Sequence, residues 1–107
     1  MGPKPIPRRL MPDAMLVRVP DGRGGYEQGV PVARVRFVRA QRAADDAHRS
    51  ADAGAGTVYV DARTSIGAFE VPAGSRVVVG GHSHLVRECR RVCDLFGRVH
   101  HWELELC

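Results

Sequence analysis

The closing stretch of the chain, Val99–Leu106, constrains the fold more than any other segment. In VHHWELEL, His100, Trp102, Leu104 and Leu106 share one side of an extended backbone, and His101, Glu103 and Glu105 share the other. The period is two, and the apolar side carries the only tryptophan. A strand with one dry face needs other strands to cover it. Trp102, Leu104 and Leu106 are therefore the expected heart of a β core.

The segment before it supplies the first partners. Arg76–Val79 is a β-branched run, Gly80-Gly81 is a two-residue turn signal, and residues 82–89 return as a second strand. Glycine at both turn positions accepts φ > 0 without steric cost, so a tight hairpin is expected. A further turn near residues 94–97 leads into Val99–Leu106. Strand four and part of strand five (Val77–Val79, Leu85, Val86) are apolar at consecutive positions, as in a strand covered on both sides.

Upstream, residues 1–12 hold four prolines and read as an extended arm without a ladder, its apolar points being Ile6, Leu10 and Met11. The arm either packs along its own barrel or reaches a neighbouring subunit. Residues 14–19 form the first strand, with Met15, Val17 and Val19 on one face, and PDGRGG at 20–25 is a turn. In the second strand, Val30–Arg39, Ala33, Val35 and Phe37 alternate with Arg34 and Arg36, and Pro31 marks an edge position. Residues 40–56, AQRAADDAHRSADAGAG, contain no β-branched residue before Thr57 and read as a long insertion, at most a short alanine-faced helix. The third strand spans 57–63, with Val58, Val60 and Ala62 opposed to Tyr59, Asp61 and Arg63. The sum is a mainly β chain: a small antiparallel barrel or sandwich of about six strands with a long insertion between strands two and three. It reads as one domain, with an arm at 1–12, the barrel at 13–107 and the loop at 40–56 inside it.

Composition narrows the class. No run approaches ~20 apolar residues, so no membrane span is expected. The basic N-terminus lacks an apolar h-region, which argues against a secretory signal. Three cysteines, Cys89, Cys93 and Cys107, are an odd number and fit a reducing compartment. The formal charge is +4, with Arg34, Arg36, Arg39 and Arg42 in one group and Arg87, Arg90 and Arg91 in another. Such an excess fits either a solvated surface or an acidic partner.

No motif points to catalysis. Cys89-x-x-x-Cys93 with His100, His101, His82 and His84 has a permissible spacing for zinc but no second cysteine pair. A Cys–His nucleophile would lack an orienting third residue. Glu103 and Glu105 lie roughly 7 Å apart on one strand face, a common surface pattern. GRGG at 22–25 lacks the helix and Lys-Ser/Thr of a phosphate loop. No enzyme and no cofactor is expected. Two rival readings stay open: a nucleic-acid-binding barrel using Arg34, Arg36 and Arg39, and a small zinc-binding domain.

The arm KPIPRRLMPDAMLVRV, the middle GTVYVDARTS, the hairpin PAGSRVVVGGHSHLVREC and the end RVHHWELEL resemble, in order, the minor capsid proteins of tailed phages and prophages of Gram-positive bacteria. These are head–tail connector proteins of the head-closure or stopper type. The most specific pieces are the proline arm and the end formed by His100, His101, Trp102, Glu103 and Leu106. The chain departs from the family in its Ala/Arg/Asp-rich insertion and in a Gly-Gly turn where Asn-Gly is more usual.

The resemblance implies a structural virion protein at the head–tail interface, made in the host cytoplasm. It implies a homo-oligomeric ring, a monomer or weak oligomer when isolated, that meets the portal or adaptor ring and the tail proteins. Carried over by position, the 40–56 loop points into the channel, with Arg42 and Arg49 able to face packaged DNA without sequence preference. Ile6, Arg8, Arg9 and Leu10 are then the candidate subunit-contact arm.

Overall fold

The computed structural model describes residues 4–40 and 54–107. Six strands, β1 (Asp13–Arg18), β2 (Val30–Arg39), β3 (Gly56–Asp61), β4 (Arg76–Val79), β5 (His82–Cys93) and β6 (Val99–Leu106), close into a barrel in the order β1-β2-β3-β6-β5-β4. Every neighbouring pair is antiparallel, and β1 completes the ring by pairing with both β2 and β4. Closure resolves the barrel-or-sandwich alternative and leaves no strand edge to template aggregation.

The interior is filled mainly by valines, with Met15, Trp102, Leu104 and Leu106 completing it. β-Branched side chains suit a narrow barrel because they are stiff at χ1 and lose little freedom on burial. The Gly80-Gly81 turn joins β4 to β5 with φ of 61° and 81°, the double positive φ that a two-residue hairpin needs.

Antiparallel pairing sorts the connections. The β1–β2, β3–β4 and β5–β6 loops lie on one rim, here the lower; the β2–β3 insertion and the Gly80-Gly81 turn lie on the upper. The residues the sequence places on the loop at 41–53, Arg42 and Arg49 among them, fall outside the described residues. Its stem is defined: Ala40 N–H donates to Ala55 O at 2.9 Å, and Ala55 N–H donates to Leu106 O at 2.7 Å.

Four expectations from the sequence need correction. β4 is one-sided, with Val77 and Val79 buried and Val78 40 % exposed, because only its inward face meets the valine interior. β5 runs on to Cys93, since β6 is long enough to pair with it beyond Cys89. β3 stops at Asp61, where the chain turns. The alternation in β2 is broken by a bulge: Asp13 pairs with Val35 and Ala14 with Ala33, leaving Arg34 unpaired at φ 58°. Val32 and Val35 therefore both face inward, and Ala33 instead exchanges backbone hydrogen bonds with Ile66.

Candidate interaction site

Three features leave the barrel and define its outward chemistry. The first is the arm, and its anchor is Asp61. This residue sits on the wet side of β3 by alternation, yet its exposure is 0 %. Its Oδ1 accepts the backbone N–H groups of Arg63 and Thr64, each at 2.8 Å, closing the turn after β3. Its Oδ2 accepts the N–H of Ile6 at 2.8 Å. Burial raises the carboxyl pKa, but the N–H groups of Thr64, Ile6 and Arg63 and the nearby His100 outweigh it, so the net direction is down.

The arm is then held along its length. Thr64 Oγ1 donates to Ile6 O at 2.7 Å, and Arg36 donates to Leu10 O at 3.3 Å. A 3₁₀ turn over Arg8–Leu10 is closed by Leu10 N–H to Pro7 O and Met11 N–H to Arg8 O. Met11 is 2 % exposed and lines, with Ile6, Leu10, Val38 and Tyr59, the seam between arm and outer wall. The arm thus lies on its own barrel. Arg8, Arg9 and Leu10 face solvent from this platform.

A histidine pair tethers the arm's start. His100 Nε2 lies 2.7 Å from Lys4 O, His100 Nδ1 lies 2.8 Å from His101 Nδ1, and His101 Nε2 lies 3.0 Å from Glu103 Oε2. Each imidazole nitrogen donates or accepts according to the ring's tautomer, so the three contacts form one chain from Lys4 O to Glu103. Glu103 also accepts from Arg90 at 3.1 Å.

The second feature is the β5–β6 turn. Asp94 Oδ1 accepts the N–H of Phe96 at 2.8 Å and of Arg98 at 3.0 Å, and Gly97 N–H donates to Asp94 O at 3.1 Å. Desolvation raises the Asp94 pKa, but these N–H groups and the charges of Arg98 and Arg63 bring it below the ordinary value. The braced turn holds Leu95 at 99 % and Phe96 at 66 % exposure. The Arg98 guanidinium lies 5.6 Å from the Phe96 ring centre. Sequence reasoning placed this turn but passed over its tip; the signal was two large apolar residues set between Asp94 and Gly97, where polar residues are the rule.

The third feature is the β3–β4 loop, which crosses the lower rim. Glu70 pins it by a bidentate pair with Arg91 at 2.7 and 2.9 Å and by accepting Trp102 Nε1–H at 3.1 Å. Hydrogen bonding from Arg91, then from Trp102, lowers its pKa.

The zinc set is not assembled: among the described residues, no group of three or more His, Cys, Asp or Glu side chains could hold a metal ion. Burial and the Glu70 carboxylate push the Cys89 thiol pKa up, the direction away from a reactive thiolate. The arginines proposed as a nucleic-acid groove have separate tasks: Arg34 forms the bulge, Arg36 holds the arm, and Arg39 stacks 5.2 Å from the Phe37 ring centre. Trp102, Leu104 and Leu106 line the barrel interior. No helix among the described residues is long and apolar enough to cross a membrane. Compared with protein-family models, curated proteins and solved structures, the chain finds no match.

Proposed function

We propose that this chain is a structural subunit of a head–tail connector in a tailed phage or prophage. In this role it forms a ring below the portal, closes the channel after DNA packaging and gives the tail its platform. The reading rests on the family resemblance of the sequence. The structural observation that supports it best is the Leu95–Phe96 turn. Two large apolar side chains held in water by a braced turn gain stability only when another protein covers them.

The rest of the barrel is consistent with that role. An arm fastened to the outer wall offers Arg8, Arg9 and Leu10 as a preformed contact surface. A stem on the upper rim carries the insertion, whose Arg42 and Arg49 would meet phosphate without reading sequence.

The test is reconstitution with portal and adaptor rings, followed by DNA retention in filled heads. The chain is expected to join the rings, and deletion of 41–53 is expected to leave a folded barrel that leaks DNA. A deletion variant that still retains DNA would remove the stopper role. Failure of the full chain to join the rings, or tight salt-dependent DNA binding by the monomer, would overturn the connector reading.

A further inference from the structure

We propose that His84 is an acid-sensitive latch on the upper mouth of the barrel: as a neutral ring it closes the mouth, and on taking up a proton it swings out and frees the β4–β5 hairpin. The mouth is closed from opposite walls. In the closed strand order two strands separate β2 from β5 either way round, so they face each other across the barrel. Phe37 of β2 and His84 of β5 meet there, with ring centres 5.7 Å apart. His82 adds an edge contact to His84 at 6.4 Å, and the Arg39 guanidinium lies 5.2 Å from the Phe37 ring centre. Arg39 also reaches the hairpin turn, where a Cβ on Gly80 would lie 2.7 Å from its Nη2. On β4 the register partners of His84 and His82 are Val77 and Val79, both buried in the apolar interior.

The protonation state follows from one atom. His84 Nε2 is buried and has no hydrogen-bond partner among the described residues. A neutral imidazole tolerates this, because its single hydrogen can sit on Nδ1 and leave Nε2 a bare lone pair. An imidazolium carries a hydrogen on both nitrogens, so a charged N–H would be buried without an acceptor. The neighbours add to the cost. The charged groups acting on the ring are His82, on its own strand, and Arg39, on β2, and both oppose a positive charge. Arg76 of β4 and Glu105 of β6 stand on the outer parity of their strands. Among the described residues no acidic side chain pairs with His84. Burial first, then His82 and Arg39, holds the His84 pKa below the ordinary 6.5.

A proton on His84 is therefore accommodated by moving the ring into water, and the fold yields where it is thinnest. β4 is four residues long, yet it is the strand that joins β5 to β1 and completes the barrel. The stability contributed by the neutral ring is complete above about pH 6.5 and is lost as pH falls through the lower folded-state value. Such a histidine makes mild acid a signal that the upper rim reads first. Nothing in this device depends on the connector role.

The test is an NMR titration of the histidine rings of the full chain, with amide exchange protection measured on the same samples from about pH 7.5 to about pH 5. The His84 ring is expected to titrate below the ordinary histidine range. Protection in β4 and at residues 82–86 is expected to fall at least about fivefold with it. Ile6 and Thr64, held by Asp61 at the lower rim, are expected to keep theirs over the same range. His84→Phe keeps a ring against Phe37 but takes no proton, and should abolish the loss. Arg39→Gln removes one opposing charge and should move both the ring titration and the loss of protection to higher pH, which a merely structural role for Arg39 would not do. An ordinary His84 titration with unchanged hairpin protection, or the same loss in His84→Phe, would overturn the latch. If His84→Phe does not fold, the unsubstituted chain still decides, because protection that fails to follow the His84 midpoint refutes it.

Discussion

The carboxylate of Asp61 accepts the backbone N–H of Ile6 at 2.8 Å across 55 residues of sequence, and this bond fastens the arm to the barrel. The same carboxylate closes the turn that follows β3, so one side chain fixes a local turn and a remote segment. An asparagine at this position would keep one acceptor and turn an NH₂ toward the arm. Asp61→Asn is expected to cost about 2–3 kcal/mol and to release the Ile6 amide to exchange. Unchanged protection of Ile6 in hydrogen exchange would refute the anchor.

The acid response follows from the direction of the Asp61 shift. Its folded-state pKa lies below the ordinary value of 3.8, so the carboxylate's contribution is complete above that pH. It is lost as pH falls through the depressed value. Exchange protection at Ile6 and Thr64 is therefore expected to hold at mildly acidic pH and to fall below about pH 4. In Asp61→Asn this acid step should vanish.

Among the described residues, Glu70 is the only acceptor that the indole N–H of Trp102 finds. Glu70→Ala is expected to lower the melting temperature and shift tryptophan emission, as the loop lifts and water reaches the ring. Glu70→Gln keeps a carbonyl acceptor and should recover most of the emission while losing the bidentate pair to Arg91. Equal behaviour of the two variants would mean that the loop is held by other contacts.

Gly56 opens β3 at φ 152°, and a Cβ built there would collide with the backbone oxygen of Val38. Neither backbone segment can yield without breaking the β2–β3 ladder at the base of the insertion. Gly56→Ala is expected to cost about 3 kcal/mol in denaturant unfolding. A loss well under about 1 kcal/mol would show that this stem has slack.

Arg34 holds a left-handed conformation that costs a residue with a Cβ roughly 1–2 kcal/mol. Arg34→Gly is expected to raise stability by about 0.5–1 kcal/mol, part of the relief being offset by the greater freedom of glycine when unfolded. Arg34→Val is expected to lower it, because a β-branched residue tolerates positive φ least. Equilibrium unfolding of both variants separates strain at the bulge from the loss of the arginine side chain.

Sequence by itself determined the strand set. Val30–Arg39, Arg76–Val79 and Val99–Leu106 have the bounds that their composition and turn residues indicate. Strand period, glycine turns and β-branched runs are local properties that depend only on near neighbours. For the same reason Trp102, Leu104 and Leu106 could be assigned to one apolar face.

Tertiary structure alone decided what depends on distant partners. Alternation gave Asp61 a wet position, yet residues of the arm, far away in sequence, cover it and make it the anchor. The bulge at Arg34 reverses the facing of part of β2, because one unpaired residue shifts a period of two and no local pattern announces it. Closure of β1 on β4 is likewise a long-range pairing, as is the union of Glu70 with Arg91 and Trp102. The outward tip was visible as two apolar letters in a turn, but their exposure could be settled only once the strands had filled the barrel without them.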